Sequence, residues 1–286
     1  EQTRLVEAAR FYEDMPSIQI PALLPFNTDS MTAMAYLDGP KITDAPLNPE
    51  QRRHCAAVLF EALICRPLFS PCEQSLFHGD PHAGNILAVN DPASAGLRIG
   101  LLDWSLAGRL TKRERVKTAQ LIQAVLKKDL SGIRRAVTAL AGNGYMDRPM
   151  QRRNFRTLVL DMIRSPGHGR LTLIKRTFKR LENLSLEGFV FSADLMLFSK
   201  AAFTLEGVLY DLWPAFDMDA AFTRHLTSLM TREIPRRFAN LLLPLADRPE
   251  NYASLISNFQ LHSLMVHRCA LAAKSTRLPR GGHLGG

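Results

Sequence analysis

Cysteine is scarce in this 286-residue chain: Cys55, Cys65, Cys72 and Cys269 are the only four, and no two are spaced C-x-x-C. That thin, unpatterned supply argues against a disulfide-built secreted domain or a thiolate zinc site and for buried thiols in a reducing compartment. Long apolar runs are missing too. A spanning helix needs about 20 apolar residues, and the best stretch, Phe238–Ala246, is interrupted by Asn240 and Pro244. There is no signal peptide, no initiator methionine and no internal repeat; Glu1 opens directly in a helical pattern, as in a piece of a longer protein. These absences favour a cytoplasmic chain, whether free or peripheral to a membrane.

What is present is ordinary globular composition, 46% hydrophobic and 22% charged, with a net charge of +9. Such a bias suits an anionic partner: a nucleotide, an acidic membrane surface or nucleic acid. Basic pairs recur at Lys127-Lys128, Arg134-Arg135, Arg152-Arg153, Lys175-Arg176, Lys179-Arg180 and Arg236-Arg237. No aromatic-interleaved basic groove accompanies them, so nucleic acid is not expected. The tail Leu278–Gly286, with four glycines and a proline, reads as flexible.

Periodicity places Leu5, Ala8, Ala9 and Tyr12 on one face of an opening helix. Ser17–Leu24 and Ser30–Leu37 read as short strands, Asp38-Gly39-Pro40 as a turn, and Asn48–Cys65 as a helix. Ile86–Val89 and Leu97–Leu102 flank a turn cluster and predict a hairpin. From the capping box Thr111–Glu114 onward the pattern is helical, with Val116, Ala119, Ile122 and Leu126 as one stripe. Further helices are expected at about 147–164, 171–183, 192–210, 218–232 and 251–273, with Gly142 and Gly144 closing the helix before them. Leu195, Phe198, Ala202, Leu205 and Leu209 form the core stripe of one of them. The class is α+β, mostly helical.

One stretch carries chemistry: His78-Gly79-Asp80-Pro81-His82-Ala83-Gly84-Asn85, followed by Asp103. Phosphoryl transfer needs a carboxylate to orient the acceptor hydroxyl, and an oxygen ligand plus a second carboxylate to hold magnesium on the phosphates. Asp80 fits the first role, Asn85 and Asp103 the metal pair, and His78 a brace for the loop. His82 reads as a second brace or a site contact.

Phe77–Leu87 resembles the F-H-A-D-P-H-P-G-N-I-L signature of the UbiB (AarF-related) family of atypical protein-kinase-like proteins, and Leu101–Leu110 is similar to its L-x-D-F-G-x-x-G-R-L segment. Glu1–Ala8 resembles the family's E-x-D-x-x-x-E-A helix, with Thr3 where an aspartate is expected. Leu205-Glu206-Gly207 and Leu212–Phe216 look like its L-E-G and L-D-P-x-F elements. The resemblance implies a kinase-like C-lobe over 40–216, the remnant of an N-lobe over 1–39, and a helical extension over 217–286. It implies ATP and magnesium as cofactors, and a kinase or ATPase linked to ubiquinone or other prenyl-lipid metabolism. Glu7, which by itself reads as solvated, becomes the helix glutamate that pairs with the ATP-binding lysine. Tyr36 falls in the Met34–Asp38 hinge for adenine. Prenyl lipid or an anionic membrane becomes a partner beside nucleotide; no oligomeric state follows.

The glycine- or alanine-rich loop, the lysine and the K-x-G-Q segment of that family would precede Glu1, so residues 1–286 alone are expected to hydrolyse no ATP and to bind it weakly. Trp104-Ser105 stands where Phe-Gly is usual. His-Gly-Asp and Asp-Trp also resemble small-molecule phosphotransferases of the aminoglycoside- and choline-kinase type, which leaves that class, and a catalytically silent nucleotide- or lipid-binding protein, as alternatives.

Overall fold

A computed structural model describes residues 1–91, 96–141, 173–186, 188–242 and 246–266. Its elements in chain order are α1 (Gln2–Phe11), β1 (Ile18–Gln19), α2 (Pro49–Phe60), α3 (Arg66–Phe69), β2 (Gln74–His78), β3 (Ile86–Asp91), β4 (Gly96–Leu101) and β5 (Ala107–Thr111). Helices follow: α4 (Lys112–Lys127), α5 (Leu130–Ala141), α6 (Leu173–Leu186), α7 (Ala193–Leu212), α8 (Met218–Arg232), α9 (Ile234–Leu242) and α10 (258–266). The fold is α+β and mostly helical. The helices expected at 147–164 and beyond 266, and the closing glycines 142 and 144, fall outside the described residues.

Two small sheets carry the loops. β3 and β4 form the expected antiparallel hairpin, Ile86 opposite Leu101, and β1 adds in parallel with Ile18 opposite Ile99. β2 pairs antiparallel with β5, His78 opposite Ala107. This second sheet is not evident from the sequence.

Several local expectations are corrected. Ser17–Leu24 contributes only the two residues of β1, and 30–37 is no regular strand. Instead Leu24 and Ala35 donate to Ala33 and Ala22, and single bridges join Leu23 to Met34 and Thr28 to Met31. Pro21 and Pro25 deprive that ladder of donors, which breaks it into bridges. Asp38-Gly39-Pro40 forms no turn. The chain there lies flush on β3: a Cβ on Gly39 would stand 2.1 Å from the Ala88 carbonyl oxygen. Glycine is required by close approach, not by bending. Ala9 is exposed while Leu5, Ala8 and Tyr12 are buried.

Elsewhere local rules hold. Asn48 and Gln51 cap α2 reciprocally, as Thr111 and Glu114 cap α4. α2 runs through one wide turn, Glu61–Cys65, into α3. Leu195, Phe198, Ala202, Leu205 and Leu209 are all buried along α7. Phe198 meets Phe77 of β2 and Phe178 of α6 edge-on, so α7 joins the sheet that carries the loop to the helical core.

The expected helix at 251–273 begins only at 258. Residues 252–257 are irregular, and side chains fix this stretch and the start of α10. Glu233 accepts from the Ser254 N–H, Gln260 from that of Ser257, and Asp247 from those of Asn258 and Phe259. The helix α9, hidden in the sequence by Pro235 and Asn240, is tied to this segment. Arg237 bonds Glu233 at 2.8 Å, Ser254 at 2.8 Å and Asn258 at 3.1 Å, and lies over the Tyr252 ring.

Candidate active site

The loop between β2 and β3 and the residue after β4 meet through one imidazole. His78 ends β2 and is 2% exposed. Its Nδ1 accepts from the Asp80 N–H at 3.1 Å, which leaves the proton on Nε2, and Nε2 donates to the Leu102 carbonyl at 2.8 Å. One ring therefore fixes the backbone of Asp80 and the residue before Asp103. Burial pushes its pKa down, and the nearby carboxylates of Asp103 and Asp80 only partly oppose this. Neutral histidine is the form these two bonds need.

Asn85 closes the loop. Its side-chain amide donates to the Asp80 carbonyl at 3.1 Å, and its own carbonyl accepts from the Leu102 N–H at 2.9 Å. The amide assignment follows from that bond and turns Oδ1 away from it. His82 accepts from the Gly84 N–H at 3.0 Å and sets its Nε2 3.8 Å from Asp80 Oδ2. It is both brace and site contact, the two roles the sequence left open.

Asp103 adopts a left-handed backbone, φ 53°. Aspartate tolerates this region better than most residues, and such positions gather at functional sites. Both the N–H and the hydroxyl of Ser105 bond Asp103 Oδ1. The Ser105 hydroxyl chiefly holds the Asp103 pKa below its usual value, with the backbone N–H, His78 and His82 adding to it. The carboxylate is thus ionised at neutral pH with Oδ2 uncommitted. Trp104 is wholly buried; its indole lies 4.7 Å from the His78 ring and 5.9 Å from Tyr12 of α1. Histidine, tryptophan and tyrosine make a continuous row of tilted rings from the loop to α1.

The structure brings His78, Asp80, Asn85 and Asp103 together through these bonds. Glu7 forms an ion pair with Arg109 of β5. Arg4 donates to the Ser105 carbonyl, so α1 is latched to the 103–109 segment twice. Tyr36 is 86% exposed and Leu37 buried, so Tyr36 offers any base only its backbone and a side chain in solvent. Sequence reasoning missed Ser105, Arg109 and Tyr12 as partners of the site. Arg109 was visible as the arginine of the G-R-L element, Ser105 as a departure from the usual glycine and Tyr12 as part of an apolar stripe, but none of these signals pointed to the site.

The donors fit magnesium: an ionised carboxylate and an amide oxygen are hard ligands. They are too few alone. Among the described residues no group of three or more His, Cys, Asp or Glu could hold a metal, so an ion here would rely on phosphate oxygens and water.

Residues 1–137 match the ABC1 atypical kinase-like domain family. No curated protein matches significantly. A solved structure described as the complex of Rv3197 with erythromycin, from Mycobacterium tuberculosis, is similar over 77% of this chain, at 17% identity and a TM-score of 0.47. The chain spans 55% of that structure's length. The loop, the hairpin and the aspartate behind it all lie inside the matched segment, so residues 1–137, the part that carries the site, are similar to the ABC1 atypical kinase-like domain.

Proposed function

We propose that the full-length protein is a UbiB-type atypical kinase or ATPase that uses magnesium–ATP at this site. The observation that carries the reading is the double tie of His78, which registers Asp80 against the strand that delivers Asp103. Asp80 orients the acceptor hydroxyl or water and takes up its proton. Asn85 Oδ1 and Asp103 Oδ2 would hold the metal, which, when bound, neutralises charge on the phosphates. His82 keeps a proton facing Asp80 and limits where that carboxylate can turn.

We further propose prenyl lipid as substrate class and an anionic membrane as working surface. Supporting this are the +9 charge and α9, where Phe238, Leu241 and Leu242 are exposed beside Arg236. Basic residues near an anionic surface contribute about 1 kcal/mol each.

A second reading, a small-molecule phosphotransferase, rests on Gly79 and Trp104. A Cβ at residue 79 would stand 2.6 Å from the Leu106 carbonyl oxygen, so this loop is built for glycine.

The deciding experiment is a pair of variants in the full-length protein. Asp80→Asn should cut turnover by about two orders of magnitude or more while nucleotide affinity stays within a few-fold, as for a lost transition-state interaction. Asp103→Ala should abolish the magnesium dependence of nucleotide binding. Magnesium-dependent binding that survives Asp103→Ala sinks the assignment; binding without turnover in the wild type makes the protein a silent nucleotide binder.

A further inference from the structure

A cavity of about 490 Å³ opens between α4, α8 and the segment ending in α10, within the range of small-molecule sites. None of His78, Asp80, Asn85 or Asp103 lines it. Its wall is mostly apolar: Leu68, Ile122, Leu126, Phe222, Leu226 and Met265. Leu126 is 53% and Met265 56% exposed, so the cavity is reachable from solvent. Exposure of Leu126 is itself unexpected, because the residue lies on the stripe that buries Val116 and Ile122 in α4.

Two buried polar atoms on this wall lack partners. Gln123 is 7% exposed and Arg115 1% exposed. The Gln123 amide nitrogen and the Arg115 Nε are both buried and have no acceptor. Arg115 spends its terminal nitrogens on the carbonyls of Ser70 and Cys72, and no carboxylate contacts it. A buried donor without an acceptor is destabilising, so such groups mark places where something else supplies the acceptor. Both orphans are donors, and eight residues apart on α4 they stand about 12 Å from one another along the helix. A single headgroup cannot satisfy both.

We infer that this cavity binds an acyl chain, its carbonyl oxygen accepting from the Gln123 amide and its apolar body lying along α4 and α8. Lys127, one turn further and bonded to Ser263 at 2.8 Å, leaves the Gln123 end of the site cationic. Asp219 belongs to the Leu173 end, where both its oxygens accept from the Leu173 N–H. An acyl oxygen is therefore placed at the Gln123 end, away from that carboxyl group. The apolar lining and the vacant donor specify the chain and the carbonyl, so a free acid and an acyl ester share the chemistry.

The test uses the full-length protein and cis-parinaric acid, whose fluorescence rises on entering an apolar site. Saturable binding is expected, displaced by oleic acid. Displacement by methyl oleate as well assigns the site to acyl esters; displacement by the acid alone assigns it to free carboxylates. Gln123→Leu, which removes the orphan amide, should weaken binding about tenfold without lowering the melting temperature. Ala119→Phe, which fills the cavity, should abolish it. No saturable binding, or binding unchanged in both variants, overturns the inference. Should either variant fail to fold, a diazirine-bearing fatty acid on the wild type decides: labels on α4 or α8 uphold the site and labels elsewhere refute it. None of these readouts depends on ATP turnover.

Discussion

Glu7 of α1 forms an ion pair with Arg109 of β5, two residues 102 positions apart in the chain. Glu7 is the expected partner of a lysine, and here its carboxylate is held by an arginine on the strand after Asp103. Both side chains are more than a third exposed, so solvent screens the pair. A double-mutant cycle on Glu7→Gln and Arg109→Gln should give a coupling of no more than about 1 kcal/mol, read by denaturant unfolding. A larger coupling would show the latch to be structural rather than exchangeable.

His78 should leave a mark on stability as pH falls. Its folded pKa lies below the unfolded value of about 6.5. The unfolded chain then binds the extra proton first, so stability is complete above about pH 6.5 and declines as pH falls toward the lowered folded value. His225, also lowered by burial, adds in the same direction. Melting temperature should drop between pH 7 and 5, and His78→Gln and His225→Gln should each flatten the slope. An unchanged slope in His78→Gln would mean the ring is not held neutral.

Trp104 should be a structural test of the site. It is fully enclosed between His78 and Tyr12. Trp104→Ala should cost about 3–5 kcal/mol by chemical unfolding. Trp104→Phe keeps an aromatic ring in the row and should cost under half of that. Near-equal costs would show that the ring contacts contribute little.

Arg237 should anchor the C-terminal segment. It is 8% exposed, and its contacts with Glu233, Ser254 and the Ile256 carbonyl hold the irregular stretch before α10. Arg237→Ala leaves Glu233 buried without its countercharge and should cost about 3–5 kcal/mol. Hydrogen exchange should accelerate in α9 and across 252–266 and stay unchanged in β3 and β4.

Much of the site was legible because its residues lie close in sequence. His78, Asp80 and Asn85 share one loop whose spacing is set by local bonds: Asp80 to His78, His82 to Gly84, Asn85 to Asp80. Capping boxes and helical stripes are equally local, since their partners sit three or four residues apart. The hairpin of β3 and β4 was legible for the same reason. By itself, the sequence determined the loop, the hairpin, the aspartate that follows it and the helices whose apolar period is clean.

Tertiary structure decided what depends on partners far along the chain. The pairing of β2 with β5 joins segments about 30 residues apart, and their short apolar runs carry no period of their own. Glu7 meets Arg109, and Tyr12 completes the row of rings at Trp104, across gaps that no spacing rule reaches. Gly39 reads as a turn until β3 is laid against it. The 252–257 stretch has helical composition, yet it is irregular, with the Ser254 N–H drawn to the distant Glu233 carboxylate. Local hydrogen bonding and side-chain period are written in neighbouring residues; desolvation, ion pairing and close backbone approach exist only once distant segments are packed together.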